Sequence, residues 1–465
     1  MTDSALIPAT DLLKLYRNKR LSPVEVARDV CSRIDKHNPR LNAYCLLDED
    51  KFIAAARESE KRWHKREPLG LLDGVPVSIK DIILTKGWPT LRGSLLVDKQ
   101  QAWDENAPST ARLLEHGALL VGKTTTPEFG WKAVTDSPLT GITRNPWNPE
   151  MTAGGSSGGA VAAVAAGMCA LALGTDGGGS IRIPAGFSGL FGIKPSFGRV
   201  PAAPLSPFGT LAHIGPITRT VADAALMLTV IAEPDSRDWY ALPAETKDYR
   251  IGLDGGVKYL RVAYSPDLGY AAVDPEITQI VERAIDVFVE LGARVELVAP
   301  GFDNPRDVFL KHWSAGAANL ARNVDAEQRA KLDPGLAQLI EVGESWGLLD
   351  YLHTVDQRVA LGQHMNRFHE HFDLLVTPTL PITAFPAGDQ LSDANSQEFW
   401  FDWTPFSYPF NLTQQPAASI PCGFTSAGLP VGLQIVGPRY GDDLVLRASH
   451  AFEKLRAIEL PSLAD

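Results

Sequence analysis

The chain has 465 residues and a formal net charge of −11, with 45% hydrophobic and 21% charged residues. That composition excludes disordered and fibrous classes, and an acidic chain without a long Lys/Arg run lacks the footprint of a nucleic-acid or anionic-membrane partner. Four scattered cysteines (Cys31, Cys45, Cys169 and Cys422) form no Cys-x-x-Cys pair, so neither a disulfide framework nor a cysteine zinc site is indicated.

Charged residues interrupt the first twenty positions (Asp3, Asp11, Lys14, Arg17, Lys19, Arg20), leaving no apolar signal-peptide core, and a cytoplasmic location is expected. Residues 1–65 read as an N-terminal helical layer: Ser22-Pro23 with Glu25 opens a helix, and Val24, Ala27, Val30 and Ile34 recur at helical spacing. From Leu72 onward, β-prone runs alternate with helical ones. They are Val75–Ile79, Ala118–Gly122, Ala170–Gly174, Val257–Tyr264, Val295–Val298, Leu374–Thr377, Ala417–Ile420 and Gly432–Val436. The Ala/Gly-rich stretch from Ala160 to Gly174 is shorter than the roughly 20 residues a membrane span needs and reads as a buried helix running into a buried strand. Pro275–Leu291 is the clearest helix, capped by Asp274, with Ile277, Ile280, Val281, Ala284, Phe288 and Leu291 on one face and Gly292 as its stop. A polar stretch, 233–256, rich in Asp, Pro and Gly, reads as a surface excursion. The alternation predicts an α/β fold: a single α/β/α domain over 1–465, with a central mixed, twisted sheet covered by helices on both faces.

Two glycine-dense turns stand out: Gly154-Gly155-Ser156-Ser157-Gly158-Gly159, and Gly174-Thr175-Asp176-Gly177-Gly178-Gly179-Ser180-Ile181-Arg182-Ile183-Pro184. Such density suits backbone that approaches a ligand closely or aims several N–H groups at one point, and a serine among such donors is a candidate nucleophile. The first turn fits the G-x-S-x-G nucleophile elbow, but the segment before it, Asn145-Pro146-Trp147-Asn148-Pro149, is a loop rather than a strand, and no histidine is singled out as a partner. A phosphate loop is also weak. No Gly-Lys-Ser/Thr closes the first turn, and Arg182 stands where G-x-G-x-x-G needs its last glycine. An apolar β-run, Val75–Ile79, ends in Lys80, which taken alone reads as a lysine snorkelling from a strand end.

Together, in this order, the Lys80 segment and the two turns resemble the amidase signature family. The resemblance is strongest from 72 to 200, including Pro127-Glu128-Phe129-Gly130, Thr143-Arg144-Asn145-Pro146-Trp147 and Gly192-Ile193-Lys194-Pro195, and continues more weakly through 415–437. It implies that Ser180 is the nucleophile, Ser156 a bridging serine held by a cis peptide, and Lys80 the base, with Ser157, Asp176 and Arg182 supporting the site. The backbone N–H groups of Gly177, Gly178, Gly179 and Ser180 would form the oxyanion hole. A larger residue is common in that family at the position of Gly177. Lysine is a base only when neutral, so its pKa, ordinarily near 10.4, must fall by about 3, roughly 4 kcal/mol of differential interaction, which burial and the helix starting after Gly158 would supply. Asp176 and Arg182 are expected to form an ion pair locking the turn rather than a substrate clamp.

The implied reaction is amide hydrolysis through a Ser180 acyl-enzyme, with no metal or organic cofactor, on a small aryl or alkyl amide and with esters and carbamates open to the same chemistry. An apolar pocket is expected from Phe129, Trp131 and Trp147 and from the aromatic run 399–410, including Trp403, Phe406 and Tyr408. Two other readings remain. One is the glutaminase subunit of a tRNA-dependent amidotransferase, although His312-Trp313-Ser314-Ala315-Gly316-Ala317-Ala318-Asn319-Leu320 lacks the Ser-Ser-Asn-Leu pattern of those subunits. The other is a catalytically silent binding protein on the same fold. A small-molecule amide, no nucleic acid, no membrane, and a monomeric or homodimeric state complete the expectation.

Overall fold

The computed structural model describes residues 3–245 and 247–463, so the first two residues of the N-terminal layer and one residue of the 233–256 excursion lie outside the described residues. The strands, in chain order, are β1 (Tyr44–Leu47), β2 (Pro76–Lys80), β3 (Leu119–Thr124), a small hairpin of β4 (Asp136–Ser137) and β5 (Gly141–Ile142), β6 (Leu171–Asp176), β7 (Phe191–Lys194), β8 (His213–Thr218), β9 (Arg261–Tyr264), β10 (Arg294–Leu297), β11 (Leu374–Pro378), β12 (Ala417–Phe424) and β13 (Pro430–Val436). All but the hairpin join one eleven-stranded sheet in the order β1-β3-β2-β6-β8-β7-β12-β13-β11-β9-β10. The sheet is mixed: β3, β2 and β6 run parallel, as do β11, β9 and β10, while β8, β7, β12 and β13 pair antiparallel with their neighbours. Every residue of β2, β7, β8, β11 and β13 is buried, which requires cover on both faces, and helices flank the sheet.

The helix at Pro23–Leu41 begins as its sequence dictates: Ser22 Oγ accepts from the Glu25 N–H at 3.2 Å and Glu25 returns a bond to the Ser22 N–H at 2.8 Å. Pro275–Glu290 is capped by Asp274, which accepts from the Glu276 N–H at 2.7 Å, and Gly292 stops it with φ +84°. Each expected β-run contains a strand, with shifted ends. The run at Val257–Tyr264 becomes a strand only at Arg261, because Tyr259 sits at φ +69° and breaks the extended backbone. Sequence reading passed over β1, β7 and β8 and the helices Arg306–Leu320, Pro334–Glu344 and Leu348–His371.

Two cores result. One is aliphatic and surrounds Gly158–Ala165 and Val221–Ile231 under the sheet. The other is aromatic, built from Phe187, Phe309, Trp313, Trp400, Phe401 and Trp403, and lies against the turn that follows β6. The excursion 233–256 is not idle surface: the Leu242 N–H donates to Gly198 O at 2.9 Å and the Ala202 N–H to Asp238 Oδ2 at 2.9 Å, pinning the segment after β7. Among the described residues, no helix is long and apolar enough to cross a membrane.

Candidate active site

Strands β2 and β6 are parallel neighbours, with Val77 opposite Leu171 and Ile79 opposite Leu173, so Lys80 and Thr175-Asp176 leave the sheet at the same end. Carboxyl ends of parallel strands are where open α/β sheets place their sites. The Gly155–Ser156 peptide is cis, and the helix Gly158–Ala165 follows directly. Lys80 is fully buried. Its Nζ lies 2.7 Å from Ser156 Oγ, 3.0 Å from Ser157 Oγ and 2.8 Å from Thr175 Oγ1. Burial pushes the ammonium well below its ordinary value near 10.5, against a smaller opposing pull from Asp176. Ser157 Oγ donates to Thr175 O at 3.1 Å, and the Ser157 N–H donates to Ser180 O at 3.2 Å, which ties the two serine turns together.

Asp176 organises the second turn. Its carboxylate accepts from the Gly179 N–H at 2.8 Å, the Ile181 N–H at 3.2 Å, Asn411 Nδ2 at 2.9 Å, and Arg182 through Nε and Nη2, both at 3.0 Å. Burial raises this carboxyl, but the Arg182 charge and hydrogen bonds override it and hold the group well below the carboxylate range. Arg182 is itself buried and donates further to Ser407 O at 2.9 Å, Gln434 Oε1 at 2.8 Å and Asn411 Oδ1 at 2.6 Å. It faces protein, not the cavity. One expectation about the turn needs correcting: the Gly179 N–H is committed to Asp176, which leaves Gly177, Gly178 and Ser180 as the N–H groups with no such commitment. A Cβ on Gly178 would come within 2.6 Å of Trp400 and one on Gly177 within 2.8 Å of Trp313, so both positions must lack one.

Ser156, Thr175, Gly177 and Ser180 line a single cavity of about 250 Å³. Its wall is mostly apolar. Ile82, Ile83, Leu84, Phe129, Phe197, Val200, Leu205, Phe208, Ile214 and Trp313 contribute, while Arg92 and Asp238 are its charged side chains. Of the six aromatic residues expected in the pocket, Phe129 lines the cavity and the other five are elsewhere. Trp131 is buried in the aromatic core and its carbonyl accepts from Trp313 Nε1 at 3.0 Å; Trp147 packs on Phe424 at 4.8 Å and donates to Ser188 O. Trp403 stacks on Phe187 at 5.9 Å, Phe406 is buried behind β13, and Tyr408 stacks on Phe309 at 4.9 Å and bonds Asn304. For Trp403, Phe406 and Tyr408 the physical reason is shared: the 399–410 run fills the space behind the Gly178 turn, where Ser407 Oγ donates to Gly178 O at 2.6 Å, instead of facing substrate. Besides Ile82, Ile83, Leu84 and Phe129, the wall comes from 196–214, a Pro/Ala-rich stretch with no periodic signal, and from Trp313.

Sequence reasoning missed Thr175, Asn411, Ser407 and Gln434. Thr175 was legible as the neighbour of Asp176; the other three, more than 220 positions beyond Arg182, carry no local signal. His213 also lines the cavity, but its Nδ1 pairs with Leu211 O at 2.8 Å and its Nε2 lies 3.5 Å from Lys194, so it serves neither serine.

Comparison with known proteins agrees over nearly the full length. The Amidase family model matches residues 25–446. The chain is 39% identical to the acylamidase of Rhodococcus erythropolis, covering 98% of this chain and 97% of that one. It is 35% identical to a glutamyl-tRNA(Gln) amidotransferase subunit of Chloroflexus aurantiacus, covering 94% and 93%. Its fold superimposes on a bacterial aryl acylamidase of the amidase signature enzymes with a TM-score of 0.90 at 33% identity, covering 97% and 96%.

Proposed function

The chain belongs to the amidase signature family and is a hydrolase of amide C–N bonds, and on that premise we propose that it cleaves a small apolar amide, aryl or alkyl, through an acyl-enzyme on Ser180. The observation that carries this reading is Lys80 Nζ, buried among three hydroxyls at 2.7–3.0 Å. A neutral amine has two N–H groups and one lone pair. Ser157 Oγ spends its proton on Thr175 O, so it accepts from Lys80; Thr175 Oγ1 accepts the second N–H. The lone pair is left for the Ser156 hydroxyl proton.

Ser156 then receives the Ser180 proton as Ser180 Oγ forms its bond to the substrate carbonyl carbon. The carbonyl oxygen becomes an oxyanion, met by the backbone N–H groups of Gly177, Gly178 and Ser180. Collapse breaks the C–N bond, and Ser156 returns a proton to the departing nitrogen, drawing on Lys80. Water then attacks the acyl-Ser180 ester with the same residues acting as base, releasing the acid. The apolar wall of the cavity and the 39% identical acylamidase support a hydrophobic acyl or anilide group over glutamine, whose charged ends would have only Arg92 and Asp238 to meet.

The test is labelling with a serine-directed phosphonofluoridate and peptide mass spectrometry. One adduct on Ser180, absent from Ser180→Ala, is expected; no adduct on the wild-type protein, or an equal one on the variant, refutes the nucleophile assignment. A panel of anilides, acetamide and glutamine addresses substrate separately: glutamine turned over faster than any anilide refutes the apolar-amide reading.

A further inference from the structure

The wall that Phe208, Gly209 and Trp313 lend to the catalytic cavity has a second pocket beyond it, outside the proposed mechanism. It holds about 430 Å³, opens to solvent, and is lined among others by Thr210, His312, Tyr351, Arg358, Gln414 and Arg439. An adjoining hollow of about 300 Å³ shares Thr210, His312, Tyr351 and Arg358 and reaches Phe208. Neither pocket is lined by any carboxylate, although the chain carries an excess of eleven negative charges. Two guanidiniums therefore share one concavity without a counter-ion.

The donors are specific. Arg358 braces the 210 and 412 loops, giving Nε to Leu412 O at 2.8 Å, Nη1 to Thr210 Oγ1 at 2.8 Å and Nη2 to Thr210 O at 3.1 Å, which leaves one Nη1 N–H and its charge uncommitted. Burial, with the like charge of Arg439 adding to it, brings this guanidinium down to about 10. Arg439 uses only Nη2, toward Gln414 Oε1 at 3.3 Å and Tyr440 Oη at 2.9 Å; its Nε is buried with no hydrogen-bond partner among the described residues. His312 is 8% exposed, packs edge-on against Tyr351 at 5.3 Å, and its Nε2 is likewise buried and unpartnered. Buried polar atoms are ordinarily satisfied, so two orphans on residues that line one cationic pocket point to a ligand that pairs with them.

We propose that this pocket binds a small oxyanion, phosphate or a carboxylate, held by Arg439 Nε and Nη1, the spare Nη1 N–H of Arg358, and His312 Nε2–H. Oxygen acceptors in a charge-assisted fork are the chemistry these donors fit. The site is separate from Ser180 and independent of the substrate reading above.

The experiment titrates the purified full-length protein with inorganic phosphate, sulfate or acetate against sodium chloride at matched ionic strength, followed by calorimetry and thermal melting. Saturable binding of phosphate and sulfate, with acetate inert, assigns a tetrahedral oxyanion; saturable acetate binding assigns a carboxylate. Arg439→Gln is expected to weaken binding about tenfold, the loss of one charge-assisted fork, and His312→Phe, which preserves volume, to weaken it about threefold. No saturable response beyond chloride, or an undiminished response in both variants, overturns the proposal.

Discussion

At the scale of single residues, the proposed chemistry rests on a lysine kept neutral by burial, and that makes two measurable demands. Activity should follow a single acid limb: the rate rises with pH through the depressed Lys80 pKa and then levels, because only the neutral amine takes the Ser156 proton. Replacing Lys80 by Arg keeps the positive charge but should abolish turnover at every accessible pH, since guanidinium does not deprotonate. Lys80→Met and Ser180→Ala should each lower kcat by about 10⁴-fold or more, measured under saturating substrate. The same burial has a thermodynamic sign. A lysine whose folded pKa lies below its unfolded value binds its proton less well when folded, so its contribution improves as pH rises and is lost as pH falls through the folded value. Lys80→Met should therefore stabilise the protein by about 1–4 kcal/mol at pH 7, with the gain shrinking toward pH 10, read as the difference in Tm between variant and wild type. A variant less stable than wild type at pH 7 contradicts the burial argument.

At the scale of elements, the decisive piece is the β6 turn, where Asp176 gathers the backbone of Gly179 and Ile181 and the Arg182 guanidinium in a dry interior. Removing one partner strands the other charge. Arg182→Met should cost about 3–5 kcal/mol, seen as a lower urea midpoint at unchanged slope, and Asp176→Asn should destabilise in the same direction. Because Asp176 holds its carboxyl far below the usual range, its stabilising share is present at neutral pH and lost only as pH falls through that low value. Gly177 belongs to the same turn: its Cβ would collide with Trp313 at 2.8 Å, so Gly177→Thr alone should cut kcat/KM by at least about tenfold, and pairing it with Trp313→Leu should restore part of the loss. An equal defect in the double variant would separate Gly177 from Trp313. The sequence displayed these glycines plainly but not why they are needed. Their neighbours Trp313 and Trp400 are brought in by Arg306–Leu320 and by the short helical turn Trp400–Trp403, both more than 120 positions away.

At the scale of the whole molecule, the eleven-stranded sheet aligns β2 and β6, and the excursion 233–256 pins the segment that walls the cavity. Leu205, half exposed at the cavity, tests that wall: Leu205→Glu should raise KM for an anilide about tenfold with kcat and Tm nearly unchanged, since one rim charge desolvates poorly against an apolar group. Strand β8 shows where sequence reading fails: Gly215 and Pro216 lie inside a fully buried strand, and both residues argue locally against one. The aromatic run 399–410 fails it differently, because an aromatic side chain looks the same in sequence whether it meets substrate or core. What the sequence alone determined is the alternating α/β order, the family, and the lysine and two serine turns, because these depend on local periodicity and on short motifs whose residues are contiguous. The tertiary structure alone decided which residues wall the cavity, which N–H groups of the turn are already spent, and which partners Arg182 takes beyond Asp176, because burial and hydrogen-bond partnership join residues hundreds of positions apart and leave no trace in local spacing.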